Sequence, residues 1–97
     1  MGNAKRPLQL RLYVAGDAPN SAAAVSNLRT VVAELPEDGV DIEIVDVVQT
    51  PERGLQDGIF VTPMLVKVAP APERRVLGNL RNRHLLLSAL GLEGRSS

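Results

Sequence analysis

The side chains of this chain that could carry out chemistry are few. The sequence contains no cysteine, and its only histidine is His84. Disulfides, thiolate metal sites and thiol catalysis are therefore excluded, and one histidine leaves little from which to build a multi-histidine metal site. We predict no catalytic residue, no bound metal and no cofactor.

The most prominent charged side chains are four arginines in the second half, Arg74, Arg75, Arg81 and Arg83. Arginines contact phosphates in nucleic acids, but the formal net charge of this chain is zero and it has only two aromatic residues. A nucleic-acid-binding domain needs a basic surface, and single-stranded binding also needs aromatic stacking platforms. We predict no nucleic-acid partner, which leaves a protein interface or a solvated surface.

The charges are also unevenly distributed along the chain. Residues 34–57 carry eight acidic side chains and one basic one, whereas residues 58–97 carry six basic and two acidic side chains. Such a polarity can steer a protein partner during association. An uneven but merely solvated surface is the simpler interpretation.

Length and hydropathy bound the location and the domain count. The 97 residues suit one small domain with one core. No apolar run is long enough to span a membrane, and the N-terminus lacks the apolar core of a signal peptide. We predict a cytoplasmic protein with no membrane partner, organised as a flexible leader (1–7), one domain (8–92) and a flexible tail (93–97).

The first half of the chain predicts a strand, a helix and a second strand. Residues 8–14 alternate apolar and mostly polar side chains, the pattern of a strand with one buried face. Asn20 or Ser21 can cap a helix that Pro36 helps to end. Residues 42–48 are rich in β-branched side chains and predict a buried strand. A strand, a helix and a strand in this order favour a right-handed βαβ unit with parallel strands.

The second half predicts two further helices and at least one short strand. Thr50-Pro51-Glu52 has the residues of a helix start, and the helix must be short, because Gly54 lies inside it and Asp57-Gly58 closes it. Residues 75–77 predict a brief strand. The last helix is expected over residues 81–90, with Gly91 as its left-handed C-terminal cap.

An apolar run at residues 59–68 contains the main ambiguity, because Pro63 interrupts it. Proline lacks the backbone donor that a central strand needs. Either Thr62-Pro63 opens an edge strand, through a cis peptide bond, or local sequence does not settle the structure of this run. With the run taken as a strand, the predicted order is β-α-β-α-β-β-α, which is an α/β fold of the thioredoxin-like arrangement with a cis-proline at Pro63.

The sequence also resembles the KaiB family of circadian clock proteins. The resemblance runs from about residue 10 to residue 90. Its matching motifs are Leu12-Tyr13-Val14-Ala15-Gly16, Pro19-Asn20-Ser21, Val45-Asp46-Val47, Pro51, Thr62-Pro63, Leu65, Lys67-Val68, Arg74-Arg75 and Gly78-x-Leu80-x-x-Arg83. The sensory domain of the histidine kinase SasA is a related module.

The resemblance implies a function in timing rather than in catalysis. KaiB proteins dock on the ATPase ring of KaiC and regulate its phosphorylation state; they sequester KaiA and compete with the SasA sensory domain. By this resemblance, Lys67, Arg74 and Arg75 are the expected partner-binding residues. Two alternatives remain: a diverged adaptor in stress or two-component signalling, and a sensory domain acting apart from its kinase. A thioredoxin-like enzyme is excluded, because no thiol is present.

The family also implies two folds, a ground-state tetramer and a thioredoxin-like monomer. Two such packings coexist only when they differ by about a few kcal/mol. We expect Pro63, Gly78, Ala89 and Gly91 to determine the fold. Where typical members have Gly and Asp, this chain has Ala89 and Gly91; both favour a C-terminal helix, alanine by about 1 kcal/mol over glycine. We therefore predict the monomer, with the tetramer as the alternative.

The surface departs from the family pattern at three positions. Members often place basic residues where this chain has Ala23, Glu43 and Gly58, and those basic residues are associated with KaiC docking. The departures imply weaker binding to a KaiC-like ATPase, or a different partner.

Overall fold

The computed structural model describes residues 8–35 and 39–91. The predicted leader (1–7) and tail (93–97) lie outside these residues, as does Pro36, so the predicted domain limits stay a prediction. Seven elements follow one another in the predicted order: β1 Leu8–Val14, α1 Pro19–Ala33, β2 Val40–Asp46, α2 Pro51–Gln56, β3 Met64–Ala69, β4 Arg74–Leu77 and α3 Arg83–Ala89.

The four strands form one sheet in the order β2-β1-β3-β4. β1 pairs with β2 in parallel, while β3 is antiparallel to both β1 and β4. The parallel pair is the predicted βαβ unit, and the whole is the predicted thioredoxin-like arrangement.

The prediction that Pro63 opens an edge strand is wrong, because β3 lies inside the sheet between β1 and β4. Pro63 precedes the first residue of β3, so its missing donor falls outside the β1–β3 ladder. The Thr62-Pro63 peptide bond is cis, as predicted. The Pro63 carbonyl accepts a hydrogen bond from the Gly78 N–H at 3.0 Å, which joins two of the predicted fold-determining residues.

The sheet has two faces with different coverings. Leu8, Leu10, Leu12 and Val14 of β1 form the larger core with residues of α1 and α3, and we call this side the α1–α3 face. Tyr13 points the other way and packs in a smaller cluster with apolar residues that flank α2, on the α2 face. The alternation of β1 therefore produces both cores, because successive side chains of a strand leave opposite sides of the sheet.

The start of α1 differs from the prediction that Asn20 or Ser21 caps it. The N-cap is Ala18, and no side chain caps the helix. Pro19 occupies the first turn, where its lack of an N–H costs nothing. Ser21 is buried, and its Oγ instead accepts a hydrogen bond from the Ala15 N–H at 3.0 Å.

β2 lies two residues earlier than the predicted 42–48, and Asp46 explains where it stops. Asp46 Oδ1 accepts hydrogen bonds from the N–H groups of Val48, at 2.9 Å, and Gly16, at 3.1 Å. The first bond bends the chain directly after the strand, and the second connects the ends of β1 and β2. Asp46 is thus a polar group that terminates a strand.

α3 begins later than the predicted 81–90, because Asn82 caps it. Asn82 Oδ1 accepts from the Leu85 N–H at 3.0 Å, and the cap residue stays in an extended conformation. The helix ends at Ala89, with Leu90 as its C-cap. Gly91 follows with φ +77°, which confirms its predicted left-handed conformation.

We predict that Gly91→Ala destabilises α3 selectively. A Cβ in the left-handed region costs roughly 1–2 kcal/mol, and here the strain falls directly on the end of the helix. Amide hydrogen exchange should accelerate across residues 83–90, and the free energy of unfolding should fall by about that amount.

Gly16→Ala is the matched control, because Gly16 also has positive φ (+53°) and nothing lies within 4 Å of the added Cβ. It should lower global stability without selective loss of protection in α3. Equal effects of both variants on α3 would show that Gly91 has no special role there.

Candidate interaction surface

The structure brings two of the three predicted partner-binding residues together and separates the third. Lys67 and Arg74 are opposite each other in the β3–β4 pair. Their side chains therefore leave the same side of the sheet, the α1–α3 face. Arg75 is the next residue of β4, so its side chain lies on the α2 face.

Lys67 is a buried residue, with 5% of its surface exposed. A Cβ atom added at Gly91 would lie 4.0 Å from Lys67 Nζ, which places the ammonium group beside the end of α3. Carbonyl groups at a helix C-terminus favour a nearby cation. The position of Lys67 thus suits it to support α3 and leaves little of it for a partner to contact.

Arg75 holds the C-terminal end of α2. Its Nη2 donates to the Asp57 carbonyl at 2.9 Å, and its Nη1 donates to the Gly58 carbonyl at 3.3 Å. Its Nε donates to the Glu73 carboxylate at 3.2 Å. Gly58 has φ +71°, so the turn that presents these carbonyls favours glycine.

Arg74 borders a shallow groove between β4 and α3, with a volume of about 360 Å³. The groove has a mixed lining: the arginines Arg74 and Arg75 and the hydroxyl of Ser88 lie beside the apolar side chains of Val76, Leu77, Leu85 and Ala89. Leu77 and Leu85 are 57% and 56% exposed, respectively. Ala89, predicted from the sequence only as a helix-favouring residue, thus also forms part of this surface.

The other two arginines of the sequence cluster do not extend this groove. Arg83 forms an ion pair with Glu34 of the α1 C-cap, which links α3 to α1. Arg81 lies in the loop before α3, where its N–H donates to Asn79 Oδ1 at 3.0 Å. His84 is exposed on α3. The four arginines therefore lie in separate environments and do not form one continuous basic surface.

A cluster of polar side chains, which we call the α2 clasp, joins α2 to β1 and β2. Arg53 of α2 donates to both carboxylate oxygens of Glu43, at 3.1 and 3.2 Å. Arg11 Nε donates to the same carboxylate at 2.9 Å. The Tyr13 hydroxyl donates to Asp57 at the end of α2. The clasp thus consists of Arg11, Tyr13, Glu43, Arg53 and Asp57.

The protonation states of the clasp follow from these contacts. The hydrogen bonds from Arg53 lower the pKa of Glu43 below its ordinary value, and Arg11 adds to that shift. Burial raises the pKa of the Tyr13 phenol, and its hydrogen bond to Asp57 adds to this effect. Tyr13 therefore remains a donor, and Glu43 remains a carboxylate, throughout the neutral range.

The clasp matters because α2 has little apolar contact of its own. Gly54 is its one buried residue. A Cβ at Gly54 would lie 3.2 Å from Val47 Cγ1, so the helix approaches the turn after β2 closely. Leu55, the apolar side chain of the helix, is 72% exposed. Polar contacts, not core packing, hold α2 in place.

Sequence reasoning missed the exposed aromatic side chain of Phe60. The apolar run at residues 59–68 suggests a buried segment, but Phe60 is 83% exposed and Val61 is 53% exposed, while Ile59 is buried. The sequence did contain a signal: residues 59–61, before Pro63, do not alternate between apolar and polar side chains, so they do not have the pattern of a strand with one buried face. The clasp had one sequence signal as well, since Arg53 and Asp57 are four residues apart on a helix.

No helix within residues 8–35 and 39–91 is both long enough and apolar enough to cross a membrane.

The KaiB domain matches residues 11–92, which is most of the chain. The chain belongs to the KaiB family. A relative with the name circadian clock oscillator protein KaiB, from Nostoc punctiforme, is 36% identical over 92 residues, covering 95% of this chain and 88% of that protein.

Solved structures show the same fold at lower sequence identity. The N-terminal domain of Synechococcus elongatus SasA superposes with a TM-score of 0.74 at 22% identity, covering 97% of this chain and 92% of that domain. Fasciola hepatica thioredoxin superposes with a TM-score of 0.72 at 20% identity, covering 90% and 81%. These likenesses confirm the thioredoxin-like fold of this KaiB-family chain.

We predict that Glu43→Gln weakens the clasp in a pH-dependent way. The lowered pKa of Glu43 means that its stabilising effect is present above the ordinary pKa and disappears as the pH falls through the lowered one. Because the side chain is half exposed (49%), the loss at pH 7 should be about 0.5–1 kcal/mol. Urea unfolding should show a larger difference from the parent at pH 7 than at pH 3.

Asp41→Asn is the control for this measurement, since Asp41 lies two residues away in β2 on the same face. Its effect on the free energy of unfolding should be within about 0.5 kcal/mol. A loss of stability in Glu43→Gln that persisted unchanged at pH 3 would contradict the ionic role of the clasp.

Proposed function

We propose that this chain is a non-enzymatic circadian-clock protein that docks on a KaiC-type ATPase ring and regulates its phosphorylation state. The match of the KaiB domain to residues 11–92 is the observation that carries this proposal. The Nostoc relative, of similar length, has the name of a clock oscillator protein. KaiA and a SasA-like histidine kinase pathway are the further partners we propose, in the cytoplasm, without nucleic acid or membrane.

The chemistry of the helix start supports a binding function over catalysis. In thioredoxins this position carries two thiols, whereas this chain has no cysteine anywhere. The nearby hydroxyl of Ser21 is buried and already accepts a backbone hydrogen bond. It is therefore not presented to a substrate.

The fold supports docking in the thioredoxin-like state. α3 packs on the same face as α1, with Leu86 and Leu90 in the larger core. The likeness to the SasA domain adds support, because a shared fold allows two proteins to compete for one site. We propose that the protein rests as this monomer; the ground-state tetramer of the family is the alternative.

The partner-binding surface we propose is the second half of the sheet, through Arg74 and Arg75. Both side chains are exposed, at the edge of the sheet remote from β2. Lys67 contributes indirectly, because the residue is buried and its ammonium group lies beside the end of α3.

A second candidate function is an adaptor in stress or two-component signalling outside the core clock. The observation that favours it is that Glu43 is held by Arg11 and Arg53; by the resemblance, members of the family often have a basic residue at this position. Ala23 and Gly58 likewise lack the family's positive charge. A partner other than a KaiC-type ATPase would account for these three substitutions together.

We predict that the immobilised protein captures a KaiC-type ATPase from the same organism and changes the time course of ATPase phosphorylation. Arg74→Glu should weaken the capture by at least about tenfold, because charge reversal replaces attraction by repulsion at the interface. Binding can be measured by biolayer interferometry, and phosphorylation by gel mobility over a day.

Arg29→Glu is the matched control, since Arg29 is an exposed arginine on α1. It should leave both readouts unchanged. Capture of a histidine kinase in place of the ATPase, with an unaltered phosphorylation rhythm, would favour the adaptor function and contradict the clock proposal.

A further inference from the structure

We propose that the free edge of β4 binds an extended, acidic segment of a protein partner as a fifth strand of the sheet. This inference rests on the proposed function only for the source of that segment. The observations behind it are an unpaired strand edge, a groove along it that contains exposed aliphatic side chains, and the sign of the charges that border it.

The first observation is the direction of the β4 backbone. The Gly78 N–H donates to Pro63, so residue 78 faces β3. Alternate residues of an antiparallel ladder point their N–H and C=O groups to opposite sides. The peptide groups of Arg75 and Leu77 therefore face away from β3, toward the side of β4 where the described sheet has no further strand. Such an edge is a template for strand addition.

The second observation is the groove between β4 and α3. On the α1–α3 face of β4, the side chains of Arg74 and Val76 are two residues apart, and Leu85 and Ala89 of α3 form the opposite wall. The exposed fraction of Leu85, 56%, is large for a leucine beside a core. An aliphatic side chain from an added strand would lie beside the largely buried Val76 and would cover the exposed Leu85.

The third observation is charge. The charged side chains that line the groove are Arg74 and Arg75, and no carboxylate from residues 8–35 or 39–91 lines it. Arg75 is turned toward Glu73 and the end of α2, which leaves Arg74 as the cation next to the groove. A basic segment would be repelled here, and a carboxylate beside Arg74 would form a charge-assisted pair.

These features define the residues that the segment needs. Side chains on one face of a strand recur every second residue. The segment should therefore place an acidic residue next to Arg74 and an aliphatic residue two positions away, next to Val76. The other free edge of the sheet, β2 of a second copy, fits less well, because Glu43 on that strand is already bound by Arg11 and Arg53.

The test uses the full chain labelled with ¹⁵N and a nine-residue synthetic peptide blocked at both ends. In the peptide, threonines alternate with valine, glutamate, valine and valine, so that the glutamate has a valine two residues away on both sides. We expect amide shifts confined to β4 and α3. We also expect Arg74→Glu to weaken peptide binding at least about tenfold and Arg29→Glu to leave it within about twofold.

Two peptide variants separate strand addition from simple charge attraction. A peptide with lysine in place of glutamate should bind the parent protein at least about tenfold more weakly and should bind Arg74→Glu better than the parent. A peptide with N-methyl groups on alternate amides, on the side that would face β4, should lose binding although its charge is unchanged. Binding that survives methylation would overturn the proposal.

The protein edge can be blocked in the same way. Leu77→Pro removes an N–H that faces the free edge and none that faces β3, so the sheet should persist while peptide binding is lost. Retained binding to Leu77→Pro would overturn the proposal. So would concentration-dependent self-association that Leu77→Pro abolishes, since the edge would then serve a second copy.

The proposed function and this inference fail in distinguishable ways. If the acidic peptide does not bind β4 and the ATPase is captured equally by the parent and Leu77→Pro, the added strand is refuted and docking on the ATPase stands. If the acidic peptide binds β4 but no KaiC-type ATPase is captured, the edge is a binding site and the clock partner is wrong.

Discussion

The antiparallel pairing of β1 with β3 is the contact on which the rest of the structure depends. It sets Leu12 against Leu65 and Leu10 against Lys67. Because β4 pairs with the other side of β3, the β1–β3 pairing joins the strands of the second half of the chain to the sheet of the βαβ unit. The position of α3 depends on this pairing too, since Leu86 and Leu90 pack in the same core as Leu12 and Leu65.

The two faces of that sheet are stabilised by different forces. The α1–α3 face is closed by aliphatic packing, where burial contributes roughly 25 cal/mol per Å² of apolar surface. The α2 face is closed largely by the clasp, in which Glu43 receives two arginines and Tyr13 reaches Asp57. The attachment of α2 is therefore sensitive to salt and pH in a way that the attachment of α1 is not.

This division also determines which parts of the sheet are exposed to solvent. The βαβ half supplies β1 and β2 of the sheet, whereas exposed side chains lie in β4, where the sheet ends, and at Phe60 and Leu55. Arg75 connects these regions, since it belongs to β4 and holds the last carbonyls of α2. A partner that engaged Arg75 would therefore also affect the end of α2.

The sequence by itself determined the order of the elements and the thioredoxin-like topology, because strand alternation, helical spacing and turn residues are local patterns. It also excluded thiol chemistry, because the sequence contains no cysteine. The position of Gly91 as a helix terminator was likewise predictable, since only its own backbone conformation is involved. The tertiary structure alone decided that β3 lies inside the sheet, that Lys67 is buried and that Arg75 faces away from Arg74. Those outcomes depend on which strands pair and in what register, and pairing joins residues such as Leu12 and Leu65 that are too far apart in the sequence for any local pattern to report.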